Sequence, residues 1–193
     1  MIAPEVAQEI AARVRSAFYD KERLMEIFCE EMYEPGELDP TGVSAAIDAE
    51  LLQWEAEQQT WPAITDCDRL DAAFAAINAR GVIALQNAGY TQSDGYDDFR
   101  DAYDQHPNKS SILGYCFYHE QDMERAVLGG GLYFAFGPVD PRDENSKGLE
   151  VGKIVREELE RVGLQVDWDG TFAERMSVPR LLWQRRNVDG ASE

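Results

Sequence analysis

The densest cluster of polar side chains is Tyr118-His119-Glu120-Gln121-Asp122-Met123-Glu124, at a junction between strand-like and helix-like sequence. A histidine beside carboxylates has the chemistry of a general base, with Glu120 or Asp122 orienting its ring. The same carboxylates also complement the positive end of a short helix, which would leave His119 as a partly exposed strand terminus. Gln86-Asn87 ends an earlier strand-like run and joins this set if the two strands are neighbours. The candidate catalytic residues are therefore His119, Glu120, Asp122, Gln86 and Asn87.

The other chemistry-bearing spacings lack their context. Asp167-Trp168-Asp169-Gly170-Thr171 follows an apolar run and matches the nucleophile signature of haloacid-dehalogenase-like phosphatases. That motif needs a doubly wound domain after it, and the chain ends too soon to build one. Read as a calcium loop, the same stretch puts Gln165 and Met176 where the first and last carboxylates belong. It reads instead as a strand ending in an Asp-Gly turn. Cys116 and His119 lie three apart, and on a strand such residues point to opposite faces, so they do not make a zinc pair. Cys67 opens a helix, which favours the thiolate, but Asp66 and Asp68 oppose it. Gly129-Gly130-Gly131 precedes a strand, not a helix, so it offers phosphate no helix N-terminus. Asp94, Asp97, Asp98 and Asp101 fall with Asp104 on one face of a predicted helix. Five like charges there are mutually destabilising, which makes this face a candidate for divalent cations or a basic partner.

The elements that carry these residues follow from hydrophobic spacing. Val6, Ile10 and Val14 recur at helical period after Pro4. A second helix starts at an Asp20 cap and is lined by Leu24, Ile27-Phe28 and Met32. A third begins near Asp39-Pro40-Thr41 and runs through Val43, Ile47, Leu51 and Trp54. These three form an acidic helical arm over residues 1–58. Trp61-Pro62 marks a connector. Asp66 caps a helix with Leu70, Phe74 and Ile77, stopped by Gly81. Strands are predicted at 82–86, 112–118, 131–137 and 164–168, with a short fifth over 176–178. A helix opening at Ser93 or Asp94 carries Tyr96, Phe99 and Tyr103 on one side. Further helices occupy 120–128 and 151–162. The fold class is α+β, a four-stranded sheet of split βαβ (ferredoxin-like) order with an N-terminal helical arm. The core domain spans 66–186, and 187–193 is a frayed tail.

Composition limits the partners. Across 193 residues, 18 basic side chains face 37 acidic ones, a net charge of −19, and 44% of residues are apolar. The charge is uneven, at −10 over residues 1–60, −7 over 61–140 and −2 over 141–193. That field repels phosphate backbones and anionic membranes and attracts a basic protein. With no greasy leader or membrane span, and three widely spaced cysteines, the expected compartment is the cytoplasm, with reduced thiols. No motif calls for a cofactor. Oligomeric state is not encoded in any pattern.

Three segments carry a family resemblance: Trp61–Leu70, Arg80–Asn87, and Gly114–Gly137 with its Tyr118-His-Glu-Gln-Asp122 and Gly129-Gly-Gly-Leu-Tyr-Phe-Ala-Phe-Gly137. They resemble a bacterial family classed only as a domain of unknown function, over roughly residues 60–185. The resemblance implies a compact cytosolic domain and no established activity. Relatives in it carry a cysteine cluster after the Gln-Asn pair, suggestive of a metal. Here the stretch Ala88–Gly95 contains no cysteine, so that implication does not transfer. The expected function is binding or regulation of a basic partner. The alternatives are a small hydrolase using His119 with Glu120 or Asp122, and divalent-cation binding.

Overall fold

Helix starts in the computed structural model follow local capping chemistry. It describes residues 2–172 and 174–187. In helix α1 (Pro4–Ser16), proline occupies the first turn, where its missing N–H costs nothing. The Asp20 carboxylate accepts the Arg23 amide at 2.7 Å and opens α2 (Lys21–Glu26), which widens into a π-type turn over Ile27–Glu31. Asp39 accepts the Thr41 and Gly42 amides ahead of α3 (Pro40–Gln58). Val6, Ile10, Val14, Leu24, Phe28, Val43 and Ile47 converge into one buried core between these helices.

By its contacts the chain divides into two compact units, Met1–Thr65 with Trp183–Glu193, and Asp66–Leu182. Within the first unit, Trp183 Nε1 donates to the Arg15 carbonyl at 3.0 Å, and the Arg185 guanidinium lies 4.8 Å from the Phe18 ring centroid. Of the tail assigned to 187–193, residues 188–193 lie outside the described residues.

In the second unit, α4 (Asp66–Ala79) starts at Asp66 and ends before Gly81, whose φ of 82° suits glycine. Strand β1 (Val82–Leu85) leads to α5 (Gln92–Gln105), which is capped by Thr91 in a reciprocal box with Asp94, and not by Ser93 or Asp94. Strand β2 (Gly114–Phe117), α6 (Glu120–Val127), β3 (Leu132–Pro138), α7 (Leu149–Arg161) and β4 (Met176–Val178) complete it.

The class is α+β with one four-stranded sheet, but the strand order is β1-β2-β3-β4 and not ferredoxin-like. Strand β2 lies directly beside β1 and parallel to it, with Ala84 opposite Cys116, so the βαβ unit is not split. The chain then returns antiparallel on the other side of β2, and β4 adds beyond β3. All four residues of β2 are buried, as a strand flanked on both sides requires. The predicted strand at 164–168 reduces to a bridge between Asp167 and Ser177. Side chains fold that stretch back on itself: Trp168 Nε1 donates to the Thr171 carbonyl at 2.7 Å, and Asp169 accepts from the Thr171 amide at 2.8 Å. Residues 176–178 take the place in the sheet that 164–168 leaves.

Pleat parity sorts the sheet's two faces. Ile83, Tyr115, Phe117 and Ala135 pack with Phe99 of α5 on one face. Tyr118 and Phe134 meet Phe74 of α4 on the other, where Gly152 of α7 sits against Phe136. Gly114 is obligatory: an added Cβ would strike the Gly137 carbonyl oxygen and approach Val151 Cγ2 at 2.8 Å.

Candidate functional site

Because β1 and β2 are parallel neighbours, Gln86-Asn87 and Tyr118-His119 emerge at the same end of the sheet. The Ala88 amide donates to the Tyr118 carbonyl at 2.9 Å and the Glu120 amide to the Gly89 carbonyl at 3.0 Å, tying the two strand ends together. The sequence-predicted residues therefore gather at one end of the sheet, but parity divides them. Tyr118 Oη donates to Gln86 Oε1 at 2.9 Å, and Gln86 Nε2 donates to Asp71 of α4 at 2.8 Å. This string lies on the α4 side. His119, one residue on, points to the opposite face. Asn87 has φ 52°, a left-handed turn that asparagine tolerates, and Glu120 occupies the first turn of α6.

His119 is buried and caps α6. The Asp122 amide donates to its Nδ1 at 3.3 Å, so the proton of the neutral ring resides on Nε2, which faces Asp122 Oδ2 at 3.0 Å. Burial lowers the His119 pKa; Asp122 opposes that shift and Arg175 adds to it. The ring is thus held neutral, with both nitrogens occupied by one residue. Asp122 in turn receives Arg175 in a two-toothed pair, Nη1 to Oδ1 at 3.0 Å and Nη2 to Oδ2 at 2.5 Å. The Arg175 guanidinium lies 5.8 Å from the Tyr133 ring centroid. This is a capped, charge-balanced lock between α6 and the residue preceding β4.

Arg175 was not legible as a site residue. It stands 53 positions from Asp122, and only its place as a cation just before a strand in an acidic chain hints at a buried partner.

The aspartate face of α5 divides similarly. Asp94 is spent on the cap, and hydrogen bonds from the Thr91 amide and hydroxyl hold its carboxyl below the usual range. Asp97 pairs with Arg100 at 3.2 Å, and Asp98, Asp101 and Asp104 are exposed. Among the described residues no three His, Cys, Asp or Glu side chains converge on a metal-sized site.

The ring side of the same helix lines a cleft of about 540 Å³, formed by Tyr96, Phe99 and Tyr103 of α5, Tyr115 of β2, and the Pro138–Glu144 loop, with Arg100 at its side. Its rings are mutually inclined: Tyr96 meets Tyr115 at 86° and 5.5 Å, and Phe99 meets Tyr115 at 42° and 4.7 Å. Burial, followed by a hydrogen bond with Tyr96, raises the Tyr115 pKa, so this wall stays neutral. The sequence displayed these α5 rings only as one side of a helix. What made it a cleft is Tyr115 and the proline loop, which only the sheet brings opposite.

The Asp167–Asp169 segment is a turn, with Gly170 at φ 82°. Gly129 and Gly131, at φ 82° and 74°, turn the chain into β3. Cys116 and His119 project to opposite faces as expected. The three cysteines are free.

Fold and site together define a small α+β domain with an aromatic cleft on the helix-covered face of a mixed sheet. The chain belongs to the family described as a domain of unknown function (DUF6891), whose model matches residues 2–187. No curated protein and no solved structure matches it. Among the described residues no helix is long and apolar enough to cross a membrane.

Proposed function

We propose that the protein is a cytoplasmic binding protein that docks a basic protein partner on the α5 face. One observation carries this reading: α5 turns Tyr96, Phe99 and Tyr103 into a cleft shared with Tyr115 and exposes Asp97, Asp98, Asp101 and Asp104 on its remaining surface. Aromatic surface supplies binding energy, and the carboxylates of the same helix supply charge selection and faster encounter. The net charge of −19 acts in the same direction, and three free cysteines suit a reducing compartment. A hydrolase built on His119 has less support, because Asp122 engages both ring nitrogens.

The reading is tested by titrating a lysine-rich peptide into the isotope-labelled full chain and mapping amide shifts at low and moderate salt. Shifts concentrated on α5 and residues 138–144 are expected. Shifts spread evenly over every acidic surface, the 1–58 helices included, would reduce the interaction to bulk electrostatics and sink the proposal.

A further inference from the structure

Resting on that docking face, we infer that the cleft between α5 and the Pro138–Glu144 loop receives the guanidinium of an arginine in the partner's basic segment. Four aromatic rings line the cleft, and a ring face attracts a weakly hydrated cation. Glu144 is the carboxylate on its wall. Among the described residues the wall carries one cation, Arg100, which pairs with Asp97 at 3.2 Å. The volume of about 540 Å³ exceeds what one aliphatic stem fills and leaves room for the backbone on either side of the arginine.

A second observation comes from the chain itself. Lys109 Nζ stands 5.1 Å from the centroid of the Tyr103 ring and 2.6 Å from Asp104 Oδ1. The combination of ring and carboxylate on α5 thus already holds an intramolecular cation at the helix's C-terminal end. An arginine entering the cleft would meet the same pairing in a more enclosed form, between Tyr96, Phe99, Tyr115 and Glu144. There, partial desolvation strengthens a cation–π contact over an exposed one.

The experiment uses two lysine-rich peptides that differ at one central residue, arginine in one and its neutral isostere citrulline in the other. Both are titrated into the full chain. The arginine peptide is expected to bind about tenfold more tightly, and to shift the ring signals of Tyr96, Phe99, Tyr103 and Tyr115 where the citrulline peptide does not. Equal affinities with equal ring shifts would overturn the inference; amide shifts on α5 with both peptides would then still support the docking face. If neither peptide perturbs α5, the docking face falls and the inference with it. As a check on the site, Glu144→Gln should erase most of the arginine preference with an unchanged melting temperature. A tenfold preference surviving that substitution would place the cation outside the cleft and overturn the inference.

Discussion

Replacing Arg175 with methionine isolates the lock at the end of β2. Asp122 is buried, and in the native protein it is balanced by the two-toothed Arg175 pair and the Nε2–H of His119. Breaking a fully buried pair by removing one partner costs about 3–5 kcal/mol, because the other charge is left in a low dielectric. The Arg175 side chain is 33% exposed, so water reaches part of the pair, and the expected loss is about 2–3 kcal/mol near neutral pH. The pH dependence is more diagnostic than the loss itself. In the native protein the folded-state pKa of His119 is lowered, so the unfolded chain takes up its proton first and stability falls as pH drops below about 7. Arg175 is one cause of that lowering and Asp122 opposes it, so the methionine variant has the higher folded-state pKa. Its histidine gains a proton more readily as pH falls, and the imidazolium replaces the lost guanidinium beside Asp122. The gap between the two proteins should therefore narrow as the pH falls from about 8 to about 5. Urea denaturation followed by the amide signals of β2 and β3 measures it, since those signals report on this unit alone. A loss under about 0.5 kcal/mol, or a gap independent of pH, would refute the lock.

Three further outcomes follow from the same geometry. Gly114→Ala should lower stability by about 3 kcal/mol, at the upper end for overpacking, because the new methyl meets the Gly137 carbonyl and Val151; a melting temperature within a degree or two of the native value would contradict the packing. Tyr118→Phe removes the hydroxyl shared with Gln86 at 2.9 Å and should cost about 1 kcal/mol by chemical denaturation, with the His119 pH dependence unaltered because that ring lies on the other face. A thiol reagent at neutral pH should label Cys29 in the native chain, while Cys67 and Cys116 react only on unfolding. Burial excludes the reagent from both of these and raises the Cys116 pKa, so rapid native labelling of Cys116 would argue against the β2 core.

What the sequence made legible was local. Asp20 and Asp39 as caps, Pro4 in a first turn, Gly81 as a stop and the helical stripes of 1–58 are decided within a few residues, and the structure follows them. The choice between strand 164–168 and strand 176–178 is not local. Both runs are short and apolar; the first lost because Trp168 and Asp169 satisfy their polar groups within a turn, leaving the edge of β3 to Met176–Val178. Pairing β1 with β2 instead of splitting them is likewise a contest between edges, which no residue announces. The candidate site divides along the same line. His119 and Asp122 were visible as a cluster, yet whether that cluster is a reactive base or a cap depended on Arg175, far along the chain and brought alongside by β4. Once that cation is in place, the acid, the ring and the helix amide satisfy one another. The α5 stripe resolves in the opposite sense. Rings that the sequence placed only on one side of a helix line an open cleft, because Tyr115 and the Pro138–Glu144 loop bound the space over them instead of filling it. A polar cluster closed on itself and an aromatic cleft left open thus occupy the same face of one sheet.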